Sequence, residues 1–134
     1  MERLKERLTV AQNALTTLTS LPLSEVVDDV VRDAAIQRFE YTFEALWKAA
    51  QLQLRVHEGL EQGSPKGVVR SCLQVGILTE DQARKALEMV DDRNLTVHTY
   101  NEKLAQLIFS RLCDYAELMN DWLAVMVSRS FSGE

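Results

Sequence analysis

The stretch EVVDDVVRDAAIQRFEYTFEALWKAAQLQLRVH, residues 25–57, decides the fold. Val27, Val31, Ala35, Phe39, Phe43, Leu46, Trp47, Ala50 and Leu54 recur in it at steps of three and four, the spacing that lines up one face of an α-helix. At 1.5 Å per residue it predicts one helix of roughly 50 Å. Ser20-Leu21-Pro22-Leu23 breaks the chain ahead of it, Ser24 is the expected N-cap, and Gly59 and Gly63 close it.

Working outward, Leu4, Leu8, Ala11, Leu15 and Leu18 give residues 3–18 the pattern of an amphipathic helix. Ser64-Pro65 is a cap followed by a proline at the first helical position, opening a short helix through Val68, Val69, Cys72 and Leu73 that Gly76 stops. Thr79-Glu80-Asp81-Gln82 is a capping box for a helix carrying Ala83, Ala86, Leu87 and Val90. A second such pattern, Thr99-Tyr100-Asn101-Glu102, predicts the start of a last helix that reaches about Ser128, with Leu104, Ile108, Leu112, Tyr115, Leu118, Met119, Trp122 and Met126 on one side. Residues 129–134 are expected to fray. No segment alternates with period two, and there is no repeat, linker or low-complexity tract. The reading is all-α: one domain, residues 1–134, forming a four-helix-bundle-like packing of about five helices.

The bulk numbers narrow the function. A chain of 134 residues that is 46% hydrophobic, with five Gly and two Pro, can bury a real core. Its net charge is −5, with acids clustered at Glu25, Asp28, Asp29 and Asp33 and again at Glu80, Asp81, Asp91 and Asp92. That counts against a general nucleic-acid binder, which needs a basic face, and leaves room for a small cleft of local positive charge. Cys72 and Cys113 lack metal-ligand spacing and read as buried apolar thiols in a reducing compartment. The charged N-terminus is not a secretory signal, and no apolar run is long enough to span a membrane. A soluble cytoplasmic protein is expected.

The chemistry concentrates in Asp92-Arg93-Asn94-Leu95-Thr96-Val97-His98-Thr99-Tyr100. A guanidinium offers phosphate a fixed fork of donors, an imidazole moves protons near neutral pH, and a phenol can bind or be modified. On one continuous helix, Arg93 and His98 would stand about 140° apart. Thr96, Val97 and Thr99 are β-branched, and the Thr99 box implies a new helix. Arg93 is therefore expected near the end of one helix and His98 to Tyr100 at the entrance of the next, where free N–H groups favour an anion. The competing reading is a plain helical surface on which Asp91 and Asp92 pair with Arg93, an interaction worth little. Glu40 and Glu44, one turn apart, resemble half of a metal-carboxylate site, but no Glu-x-x-His partner exists elsewhere, so solvated charge or a polar network is the better reading. His57, at a helix C-terminus, suits the helix dipole. There is no Gly-rich phosphate loop, nucleophile elbow or Cys/His metal signature, so no metal and no cofactor is expected.

Three blocks together resemble the HEPN family, in particular the HepT-like toxins encoded beside minimal nucleotidyltransferases, which also carry the label nucleotidyltransferase substrate-binding protein. They are Gln37-Arg38-Phe39-Glu40-Tyr41-Thr42-Phe43-Glu44 with Trp47-Lys48; Gly63-Ser64-Pro65 with the helix to Gly76; and Asp92-Arg93-Asn94 through His98-Thr99-Tyr100-Asn101-Glu102. The resemblance implies an up-and-down bundle that forms a homodimer, with the Arg and His of both subunits in a cleft at the interface. It implies a metal-independent endoribonuclease with an Arg-x4-His-x-Tyr site: Arg93 holding the scissile phosphate, His98 as general acid/base, Asn94 orienting substrate or His98. Tyr100 matches the tyrosine that the cognate nucleotidyltransferase, the antitoxin, adenylylates in some pairs. AMP there would put bulk and negative charge beside Arg93, in competition with RNA phosphate. The alternative is a non-catalytic subunit that presents substrate to the nucleotidyltransferase.

Overall fold

The computed structural model describes residues 2–131, with Glu2 and Phe131 described by their backbone alone. The described chain is all-helical: α1 (Glu2–Thr19), α2 (Asp29–Gln53), α3 (Pro65–Gln74), α4 (Glu80–Leu95) and α5 (Glu102–Phe131). Leu54–Glu58 extends α2 as a π-helical turn, and Thr96–His98 forms a 3-10 turn after α4.

The boundaries follow local chemistry, with corrections. The long helix begins at Asp29 because Asp28, not Ser24, takes the cap: its carboxylate accepts from the backbone N–H of Val31 at 2.9 Å. Ser64 accepts from Gly67 N and Thr79 exchanges both capping-box hydrogen bonds with Gln82, as the sequence predicts. The last helix begins later than the Thr99 pattern predicts. Asn101 accepts from Leu104 N at 3.1 Å, while the Thr99 hydroxyl donates back to the Thr96 carbonyl at 2.9 Å. That helix also outlasts Ser128, and Ser130 is buried; the fraying expected for the tail is absent through residue 131, and residues 132–134 lie outside the described part. Gly59 closes the π turn at φ 69°, a left-handed conformation that costs glycine nothing.

Partner contacts give the directions. Arg38 and Tyr41 of α2 bind Thr17 near the end of α1, while the start of α1 lies along Tyr41 to Lys48, so α1 and α2 are antiparallel. Arg32 at the start of α2 meets Glu102 at the start of α5, and Gln53 at its end donates to the Met126 carbonyl near the end of α5. Those two helices therefore run parallel. Asp92 at the end of α4 binds Arg111 and Tyr115, and Val75 just ahead of α4 meets Arg129, so α4 is antiparallel to α5. The four long helices run up, down, up and down, with short α3 packed against α4 and α2.

The core sits between these helices. Phe39, Phe43, Leu46, Met89, Ile108, Leu112, Met119 and Trp122 are all fully buried. Phe39 stacks on Tyr115 with ring centroids 5.7 Å apart. Emptying the Phe39 site would cost about 3–5 kcal/mol. Trp47, on the edge of the predicted stripe, is only half-buried and donates its indole N–H to Glu44.

Parallel α2 and α5 bring two positive helix ends together, and acids collect there. Asp28, Asp29 and Glu102 occupy the caps and first turns, and buried Arg32 bridges Asp29, Asp33 and Glu102 at 3.5, 3.1 and 2.6 Å. The hydrogen bond to Glu102 pushes the Arg32 pKa further up. Cys72 is buried as expected. Cys113 is exposed, which corrects the sequence reading, because it lies on the outward face of α5. Among the described residues no helix is long and apolar enough to cross a membrane.

Candidate functional site

The predicted break between Arg93 and His98 exists, although its form differs. Helix α4 continues through Arg93 and Asn94 to Leu95, and His98 closes the 3-10 turn instead of opening the next helix. The first turn of α5 is capped by Asn101 and carries Glu102, whose carboxylate opposes an anion there.

The last turn of α4 is held from two sides, by α5 and α3. Asp92, 5% exposed, accepts from Arg111 Nη1 at 3.0 and 2.9 Å and from the Tyr115 hydroxyl at 2.5 Å. A buried carboxylate is tolerable only when satisfied in this way. Burial, with Asp92 adding to it, raises the Tyr115 pKa, so the phenol stays a donor; the Arg111 pKa is raised first by its hydrogen bond to Asp92. Asp91 turns to Lys66 of α3, 2.8 Å away.

Neither acid therefore pairs with Arg93, which corrects the expected surface pairing. The Arg93 guanidinium is half-buried and forms no ion pair with a carboxylate among the described residues. Its Nη1 lies 3.5 Å from the Thr96 hydroxyl, a marginal hydrogen bond, and its Nε is buried without a partner. Such a cation retains donors for an incoming anion. Asn94 is exposed. His98 and Tyr100 come together: His98 Nδ1 lies 3.2 Å from the Tyr100 hydroxyl, and the rings meet edge-to-face at 5.8 Å and 85°. Tyr100 is 84% exposed, open to a modifying enzyme. No hydrogen bond among the described residues links the Arg93 guanidinium to the His98–Tyr100 pair within one chain.

Two residues that sequence reasoning did not assign also belong here. The Thr96 hydroxyl lies 2.5 Å from Glu40 Oε2 and 2.7 Å from the Arg93 carbonyl. Its single proton serves one of those acceptors at a time, and its lone pair faces the Arg93 guanidinium. Glu40 and Glu44 thus part ways: Glu44 takes Trp47 and Lys48, and the two do not converge on a metal. Among the described residues no group of three or more His, Cys, Asp or Glu side chains could hold one. The signal for Glu40 was its place in an aromatic-rich helix, facing a segment whose fold only the structure supplies. Two surface grooves, of about 540 and 420 Å³, lie elsewhere: one beside Val26, Arg32 and Phe109, the other between Arg7 and Lys48.

Comparison with known proteins adds four findings. The profile of a family described as nucleotidyltransferase substrate binding protein like matches residues 6–128. A curated relative from Haemophilus influenzae, "Probable ribonuclease HepT", is 27% identical over 94 residues, covering 67% of this chain and 63% of the relative. The chain thus spans less than two thirds of that relative's length. Among solved structures, one from Thermus thermophilus is 60% identical, with a TM-score of 0.85 over 87% of this chain and 98% of the other. A Haemophilus influenzae structure, described as revealing the fold of a substrate binding domain of a nucleotidyltransferase, has a TM-score of 0.62 at 18% identity. It covers 94% of this chain and 98% of its own, and shows the shared fold alone.

Proposed function

Because the chain belongs to the nucleotidyltransferase substrate binding protein like family, we propose that it is a HEPN-type ribonuclease toxin, held in check by a partner nucleotidyltransferase that adenylylates Tyr100. The observation that carries this reading is the Arg93 guanidinium: half-buried, charged, and without a carboxylate among the described residues, while Asp91 and Asp92 bind Lys66 and Arg111.

In the proposed reaction His98 takes the proton of an RNA 2′-hydroxyl. The O2′–P bond forms, the P–O5′ bond breaks, and the leaving oxygen takes up the proton that His98 returns as general acid. The products are a 2′,3′-cyclic phosphate and a 5′-hydroxyl, and the atoms balance without metal or cofactor. Arg93 holds the phosphate and stabilises the charge that builds on it, and proton transfer by His98 contributes about 10²–10⁴ in rate. Asn94, exposed one turn before His98, orients the substrate. The open setting of Arg93 and His98 in one chain fits a site completed by the second subunit of a homodimer. AMP on Tyr100, whose hydroxyl touches His98, would occupy the imidazole and set a phosphate near Arg93.

The second reading is a non-catalytic subunit that presents substrate to the nucleotidyltransferase. The wide exposure of Tyr100 fits it equally, since an enzyme could reach that phenol whether or not the chain cleaves RNA.

Inducible expression of wild type and His98→Ala, each without the partner, separates the two. Growth arrest with fragmented total RNA in wild type alone is the expected result. Intact RNA and normal growth in both, with mass spectrometry showing Tyr100 unmodified, would overturn the ribonuclease reading in favour of the binding subunit.

A further inference from the structure

The hydroxyl of Thr96 stands midway between Arg93 and His98 in sequence and reaches across to α2, 56 residues away, to meet Glu40 Oε2 at 2.5 Å. Thr96 is 4% exposed and Glu40 is half-buried. We propose that Glu40 and Thr96 are positioning residues that fix the Arg93 guanidinium and the turn leading to His98. This rests on the assignment of Arg93 as the phosphate-holding residue.

Glu40 acts on Arg93 through an intermediary. A direct Glu40–Arg93 fork would hold the guanidinium firmly, and it would also fill the donors a phosphate needs. Interposing a hydroxyl separates the two effects. Thr96 donates to Glu40 or to the Arg93 carbonyl while its oxygen faces Arg93 Nη1 at 3.5 Å. The cation is thus placed by a negative charge at one remove, and its outer edge stays free. The same bond pins the middle of the spacer. Thr96 belongs to the 3-10 turn that ends at His98, and its carbonyl accepts from the Thr99 hydroxyl at 2.9 Å. One inter-helix link therefore orders both the residue before the turn and the residues after it. Asp92 cannot substitute, because it anchors α4 to α5 and leaves the turn itself untouched.

The test uses Thr96→Val, which removes the hydroxyl at nearly constant shape, Thr96→Ser, which keeps it, and Glu40→Ala. Two readouts are followed: cleavage kinetics on an oligoribonucleotide, and the Nε–H correlation of Arg93 in ¹⁵N NMR, identified by its loss in Arg93→Lys. The expected result is a fall in kcat of about ten- to a hundredfold in Thr96→Val and Glu40→Ala, with KM changed less. The Arg93 signal should broaden or move in both, and Thr96→Ser should restore each readout. Wild-type kcat in Thr96→Val, alongside an inactive Arg93→Ala, would overturn the proposal and leave the ribonuclease reading standing. If wild type cleaves nothing, that reading falls, and the Arg93 signal decides the positioning role alone: unchanged in Thr96→Val, the role is refuted; broadened, it holds. Should Thr96→Val fail to fold, Glu40→Ala carries the same comparison.

Discussion

Asp92 binds Arg111, 19 positions further on, and not its chain neighbour Arg93: both carboxylate oxygens accept from Arg111 Nη1, at 3.0 and 2.9 Å. Consecutive helical residues point about 100° apart, so the inward-facing acid ties α4 to α5 while the arginine after it faces elsewhere. Because Arg111 is partly solvated, the pair is worth less than a fully buried one. Asp92→Asn should lower stability by about 1–3 kcal/mol in urea unfolding. An unchanged midpoint would refute the anchoring role.

Arg93→Ala removes a side chain that has no ion pair among the described residues. Its unfolding free energy should stay within about 1 kcal/mol of wild type. RNA cleavage, in contrast, should fall by at least about 100-fold. A variant that unfolds, by circular dichroism, would mean Arg93 serves the fold.

Tyr100→Phe changes one exposed hydroxyl and should leave stability within about 0.5 kcal/mol. Co-expressed with the partner nucleotidyltransferase, wild type should gain the mass of AMP and the variant should not. An AMP adduct on the phenylalanine variant would place the modification on another residue.

Burial pushes the Cys72 thiol from 9.0 up to about 12, so the native state keeps its proton over a range where the unfolded chain has lost it. Below about pH 9 the thiol is protonated in both states and contributes no pH dependence. Above it the unfolded chain binds fewer protons, and stability should fall as pH rises, by at most about 1.4 kcal/mol per unit for this group. Urea unfolding at about pH 8 and pH 10 should show that loss in wild type and a smaller one in Cys72→Ala. Tyr115, whose pKa is also raised, adds its own loss above about pH 10 in both proteins. Equal slopes in the two proteins would contradict the assignment to Cys72.

Most of the helices were legible because apolar spacing is local. Leu4 to Leu18, Ser64-Pro65 and the Thr79 box sit where their patterns predict. The errors lie where two local signals compete and packing chooses. Asp28 displaced Ser24, and Asn101 displaced Thr99, whose hydroxyl turned back to the carbonyl of Thr96. Charged residues were read as solvated, so buried Arg32 and Asp92 went unseen. Their partners, Glu102 and Arg111, are 70 and 19 positions away, beyond any window of periodicity. At the candidate site the sequence marked Arg93, Asn94, His98 and Tyr100 as a group. It could not place Glu40 beside Thr96, because that neighbourhood exists only after α2 packs against the turn.

The parallel run of α2 beside α5 sets the order in which the bundle can assemble. The hairpins α1–α2 and α3–α4 close over short loops and can form early. Arg32 and Glu102 meet only when the chain bends back across 70 residues, and the entropy of that closure comes due before Phe39 and Tyr115 can stack. If docking of this central pair limits folding, weakening the Arg32–Glu102 link should retard folding more than it accelerates unfolding. The turn between Arg93 and His98, leaning on α2 through Glu40, takes its final shape only after that docking.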